Sequence, residues 1–269
     1  MKEVLSMGFF KHALVGAFFI SVATLHAGSI WNNSESPENF RIEVTGSAWL
    51  VDSAGTIQAN GTPVDLISDL GAEQQKPSFY GRLVFKSAQK HRVVVEGSPV
   101  TINGFNTVSR SIVYRGQTFN VSETVRSSAE FNYLFAGYQY DLLSGSSGHL
   151  GLSAGGAYLG ATGIIDAVQS GVGASKTQTL GLPLAGAEFR LFPIPHHSIF
   201  EVEGGLRGMA FGSYGHFVEG SASGGVRFGS ISILAGYREM IADLHQTGGN
   251  TSGVDLRLRG PVFSVSWRW

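Results

Sequence analysis

Few residues of this chain have the types and spacing that do chemistry. Asp243 and His245 stand two apart, so on an extended strand they share a face. Ser213 and His216 stand three apart in a glycine-bounded stretch. A hydrolase needs a nucleophile or activated water beside a base at hydrogen-bond reach, and these four are the candidates for such a site. Ordinary loop hydrophilicity accounts for them equally well, so the expectation is no enzyme. His196 and His197 form a pair without a neighbouring carboxylate or third imidazole, which reads as a solvated turn, and no metal site is expected. Gly151, Gly155, Gly156 and Gly160 have spacings that mimic a nucleotide loop, but they fall inside an alternating run where close packing explains them, and no P-loop is present. Cysteine is absent, which excludes disulfides, thiolate metal sites and cysteine nucleophiles. No cofactor is expected.

The elements that would position these residues are strands. Of 269 residues only 14% are charged, while glycine reaches 37 and aromatics 11%, a mixture unusual for a soluble enzyme of this length. The net charge of -1 comes without a Lys/Arg run, so nothing invites nucleic acid. After the amino terminus no apolar stretch approaches the length of a membrane helix. Alternation with a period of two appears instead. Phe40, Ile42, Val44, Gly46, Ala48 and Leu50 share one face, opposite Arg41, Glu43, Thr45, Ser47 and Trp49. The pattern returns with Val202 against Glu201 and Glu203, with Val218 against Glu219, and with Ile231 and Ile233 against Ser232.

Turn signals between these runs fall into two alternating size classes. Short links are expected at 87–90, 144–148, 193–197 and around Gly229; longer ones at 52–77, 103–120, 163–177 and 245–252, with a tighter link near 212–215. That alternation predicts an all-β, antiparallel, up-and-down transmembrane barrel of ten strands, with eight or twelve also compatible. The expected strands cover 40–51, 78–86, 91–102, 121–142, 148–162, 176–192, 198–211, 216–228, 230–244 and 253–269. A further hairpin could lie within 64–70, and 111–118 could extend its flanking strands.

The face opposite the apolar one collects Glu43, Glu96, Glu188, Glu201, Glu203 and Glu219 with Arg41, Arg82, Arg190, Arg207, Arg227, Arg238 and Arg268. The two signs nearly balance. Arginine keeps its charge and offers a planar fork of donors, so this face suits a confined lumen of paired charges, leaving the uncharged face to hydrocarbon. A soluble sheet would place its charged face in water instead.

The last run carries Phe263, Val265, Trp267 and Trp269 on one face, expected to form an aromatic girdle with Tyr138 and Tyr140 and to serve as an assembly signal. Upstream, Leu256 and Leu258 have the opposite phase, which predicts a bulge at Gly260-Pro261; similar slips are expected at 180–184 and 131–135. These features, together with Val64-Asp65-Leu66, Asp69-Leu70-Gly71 and Phe135-Ala136-Gly137-Tyr138-Gln139-Tyr140, resemble those of uncharacterised small outer-membrane barrel proteins of bacteria, up-and-down barrels of the OmpA transmembrane type. The resemblance implies a location in the outer membrane, lipids of that membrane and the barrel assembly machinery as partners, and no catalytic residues.

At the amino terminus, Lys2 and Lys11 precede an apolar run from Ala13 to Leu25, which reads as a signal peptide over 1–27, followed by a short periplasmic segment over 28–39 and the barrel over 40–269. The leading functional expectation is a non-enzymatic outer-membrane barrel for membrane integrity, adhesion or narrow passage, its lumen filled by side chains. The alternatives are a lipid-modifying hydrolase at the extracellular rim and a secreted soluble ligand binder of the lipocalin kind.

Overall fold

A computed structural model describes residues 36–194, 199–246 and 252–269. The expected signal peptide, most of the 28–39 segment, and His196 with His197 lie outside the described residues. Thirteen strands follow one another: β1 (Ile42–Ala59), β2 (Val64–Asp65), β3 (Lys76–Ala88), β4 (His91–Thr107), β5 (Ile112–Tyr114), β6 (Gln117–Phe119), β7 (Thr124–Gly145), β8 (Gly148–Ala167), β9 (Gly173–Leu191), β10 (Phe200–Ala210), β11 (Gly215–Phe228), β12 (Ile231–Gln246) and β13 (Ser252–Arg268). Ten of them form a single antiparallel ring in the order β1, β3, β4, β7, β8, β9, β10, β11, β12, β13, and β13 closes it against β1. Glu43 pairs with Arg268 and Ala59 with Ser252 along that seam. Closure removes the sheet edges that an open sheet would expose.

The strands run further than their alternation suggested. β1 continues through 52–59, expected as loop, and β9 begins at Gly173, so the link from β8 is short. The segment between β4 and β7 makes its own hairpin, β5–β6, instead of lengthening its neighbours, and only the two-residue β2 arises within 64–70, pairing with Thr56 and Ile57. Both hairpins lie at the end of the barrel with the longer links; the other end holds the tight turns and the carboxy terminus.

Outward side chains form an apolar belt that includes the exposed Leu83, Phe85, Val95, Leu134, Leu152, Leu206, Ile233, Phe263 and Val265. At the tight-turn end Trp267 and Trp269 pack ring against ring with centroids 4.9 Å apart, and Tyr138 and Tyr140 flank His91. Large exposed apolar surface distributed over many strands marks a face that meets lipid or a partner rather than water.

The three expected phase slips do not occur. On β13 the even-numbered residues face inward from Leu256 through Leu258, Gly260 and Val262 to Arg268, and the register against β12 is unbroken through Gly260 and Pro261. Pairs Trp49–Val262 and Asp52–Arg259 keep the same register against β1, so no extra residue is inserted. Glycine is needed at 260 because a Cβ there would lie 1.8 Å from the Leu50 carbonyl oxygen. Likewise Leu182 and Leu184 keep the inward parity of Glu188 and Arg190, and Phe131, Tyr133 and Phe135 that of Gln139 and Asp141. The chain does not change phase; the lumen changes polarity along its length.

Candidate functional site

Antiparallel pairing brings the inward charges of β1, β3, β4, β7, β9, β10, β11, β12 and β13 to the tight-turn half of the lumen. Eight carboxylates, Glu38, Glu43, Glu96, Asp141, Glu188, Glu201, Glu203 and Glu219, share that space with eight cations, Arg82, Lys86, Arg92, Arg190, Arg207, Arg227, Arg238 and Arg268. Most of these side chains are buried.

At the lowest level the segment before β1 turns into the barrel. Glu38 receives Arg92 Nη2 at 2.7 Å, its carbonyl accepts from Lys86 Nζ at 2.7 Å, and its carboxylate lies 3.2 Å from His149 Nδ1. Arg92 also donates from Nε to Asp141 at 2.8 Å, and Gln139 holds the other Asp141 oxygen. The Phe40 ring fills the space beside Lys86, Arg92 and Arg268.

Above this, Arg190 reaches Glu43 at 2.8 Å, Glu201 at 3.0 Å and Glu203 at 3.1 Å. Arg268, the last residue of β13, pairs with Glu43 and with both oxygens of Glu201, which also accepts from Ser232 Oγ at 2.6 Å. The uppermost charged level joins Arg82 to Glu188, Arg207 to Glu188 at 2.9 Å, and Arg238 to Glu219 at 2.9 Å. Arg207 Nη1 also lies against Glu96 as an ion pair without hydrogen-bond geometry. Tyr80 donates to Glu96 at 2.6 Å, Tyr133 donates to Glu219, and the Arg238 guanidinium covers the Tyr80 ring at 3.9 Å. Such ions are tolerable away from water only because nearly every oxygen and N–H meets a partner.

Arg41 departs from the expectation for the lumen. It precedes β1, its backbone amide bonds to the Trp269 carbonyl, and its side chain is exposed at the rim. Five interior residues were absent from the set read from the sequence: Glu38, Lys86, Arg92, Asp141 and His149. Parity could have supplied three of them, since Lys86 matches Arg82, Arg92 matches Glu96, and Asp141 matches Phe135. Glu38 had no such signal, because it lies ahead of the strand and arrives by folding back.

Beyond Tyr133 the interior is apolar. A cavity of about 620 Å³ lies among Val100, Phe131, Leu159, Leu182, Met209, Phe217, Met240, Leu256 and Leu258. Tyr133 stacks on Phe217 with centroids 5.9 Å apart and forms the floor between this cavity and the charges. Among the rim candidates, His245 also lines the cavity, and its Nε2 is 2.6 Å from Asp243. His216 Nδ1 approaches the same carboxylate at 3.6 Å, because His216 and Asp243 are partners across β11 and β12. Ser213 sits exposed in the 3-10 turn (Gly212–Tyr214) that leads into β11. No group of metal-ligating residues that could hold an ion occurs among the described residues.

At the long-link end, Asp69 anchors the 60–75 segment. It accepts from the Asp65 amide at 2.8 Å and from Arg110 Nε at 3.0 Å, and Arg110 also reaches the Pro63 carbonyl at 2.7 Å. Burial acts to raise the Asp69 pKa, but the hydrogen bonds from Arg110 and Asp65 and the charge of Arg110 outweigh it, leaving the carboxyl below its ordinary value.

No family model matches the chain, and no curated protein matches it. Among solved structures it is similar to the outer membrane protease OmpT from Escherichia coli, at 10% identity over 85% of this chain and 97% of that one, with a TM-score of 0.52. The translocator domain of the autotransporter NalP from Neisseria meningitidis aligns at 14% identity over 97% of each chain, with a TM-score of 0.40. Ail, the attachment invasion locus protein of Yersinia pestis, aligns at 10% identity over 85% of this chain and 99% of that one, with a TM-score of 0.37. At these identities the likeness is one of fold: a closed outer-membrane-type β-barrel.

Proposed function

We propose that this protein is a non-conducting barrel of the bacterial outer membrane that acts through its outer rim and wall, in membrane integrity or surface attachment, and not as a pore. The observation that carries this reading is the cluster of ion pairs that crosses the lumen from Glu38 to Glu219. The apolar belt and girdle supply the surface that hydrocarbon requires. The reading includes export with removal of roughly the first 27 residues, assembly by the barrel machinery, and contact with outer-membrane lipids. Fractionation tests it. The protein should require detergent for release from outer membranes, migrate faster unheated than heated, and leave planar bilayers silent. Recovery as a detergent-free soluble monomer, or steady conductance by the parent protein, overturns it.

A second reading, a hydrolase at the rim, is favoured by one observation: Asp243 orients His245 at the mouth of an apolar cavity. Hydrolysis of a lipid ester that is lost in Asp243→Asn would support it; equal rates in parent and variant would remove it.

A further inference from the structure

The apolar cavity lies between the Tyr133 floor and the long-link end, and the wall beside it is broken. Below, Tyr133 and Phe217 close it against the charges. Above, the β5–β6 hairpin crosses the mouth: the Arg115 amide donates to the Ala59 carbonyl on β1 and its guanidinium to the Ser175 carbonyl on β9 at 3.1 Å, strands on opposite sides of the ring. Tyr114, beside it, is buried.

The wall is incomplete between β9 and β10. β9 pairs with β8 along its whole length, as far as Gly173, yet its pairing with β10 stops at Ala185–Gly208. β10 ends two residues later, and the chain turns back through residues 212–214 into β11. Among the described residues, β9 from Leu184 to Gly173 therefore has no partner on that side. Pro183 lies two residues beyond the last pair, and proline, with no N–H to donate, belongs on a free strand edge. Thr177 to Gly181 are all exposed, where a paired strand would show alternation. The cavity lining follows the same break: it takes consecutive residues of β9 from Gln178 to Pro183, both faces of the strand, and meets Met209, Phe211 and Tyr214 on the other lip.

We propose that this gap admits the hydrocarbon chain of a single-chain amphiphile, of the fatty-acid or lysolipid class, from the outer leaflet into the cavity. The volume falls within the ~300–1,000 Å³ of small-molecule pockets. Its lining is mostly apolar; Ser98 and Asn132 lie beside the Tyr133 floor, and Gln178, Thr179, His245 and Ser252 form a polar fringe at the long-link end, where the polar end of the ligand stays. Hydrocarbon at the gap also answers a physical need, since the wall there has no neighbouring strand to exclude lipid.

The inference rests on the barrel spanning a membrane, and heat-modifiable migration of the same preparation reports failure of that premise separately. The probe is a photoactivatable diazirine fatty acid in phosphatidylethanolamine vesicles carrying the full chain, with labelled positions mapped by mass spectrometry. Label is expected on the inward Met240, Leu256 and Leu258. Met209→Trp, which narrows one lip, should lower that label about tenfold while outward labelling at Ile233 and Phe263 persists. Label confined to outward residues overturns the site. Inward label unchanged in Met209→Trp overturns the lateral route. Cross-links between the β9 edges of two copies without inward label assign the edge to self-association and also overturn the proposal. A Met209→Trp protein that is no longer heat-modifiable is replaced by Met209→Phe, read in the same way.

Discussion

Tyr133 on β7 donates its hydroxyl to Glu219 on β11 while its ring stacks on Phe217 of the same strand, two residues from that carboxylate. One side chain thus closes the charged half of the lumen and floors the apolar half. Tyr133→Phe keeps the ring and removes the donor. Leaving Glu219 short of a partner should cost ~1–3 kcal/mol, seen as a lower temperature for loss of the compact, fast-migrating form, with cavity labelling retained. An unchanged transition would show that Arg207 and Arg238 alone satisfy Glu219.

Arg190 is the hub of the middle level, contacting Glu43, Glu201 and Glu203. Arg190→Ala leaves four carboxylates, Glu38 included, sharing fewer cations and should destabilise by ~3–5 kcal/mol. An exposed pair such as Arg257–Glu239 should give no more than ~1 kcal/mol when broken. Denaturant unfolding of the two variants in matched detergent measures the contrast; equal effects would mean the lumen is wet.

Deleting Ser266 to Trp269 removes the pairs Glu43–Arg268 and Val44–Trp267 at the seam, together with the ion pairs of Arg268. It opens both β1 and β12 at once. Stable membrane insertion should be abolished, and normal yields of heat-modifiable protein from this truncation would contradict the closure argument.

The Asp69–Arg110 clamp predicts a pH dependence at the long-link end. Because the folded carboxyl has a pKa below its unfolded value of ~3.9, its contribution is fully present above that value and is lost as pH falls through the folded pKa. Limited proteolysis within 60–75 should therefore be slow at neutral pH and accelerate below about pH 4. Asp69→Asn should be cleaved faster at neutral pH and lose most of the pH dependence.

Much of this architecture was written in local alternation. Wherever one face is charged and the other apolar, as from Glu201 to Met209 and from Ser232 to Arg238, parity alone assigns each side chain to lumen or wall, because the period of a strand is two. Twelve of the thirteen charges so assigned face the inside of the barrel, and Arg41 is exposed because the strand had not yet begun. Around Leu182, Phe131 and Leu256 the inward face turns apolar, and beside Phe131 and Leu256 the outward face turns polar with Glu130, Asn132, Asp255 and Arg257, so a polarity change inside the lumen reads like a bulge in the strand. Only closure of the ring decided that those side chains face one another across a cavity. The same holds for the unpaired edge of β9. Pro183 hints at it, but a missing neighbour is a property of where β10 ends relative to β9, and that register is set by long-range pairing that no local pattern encodes.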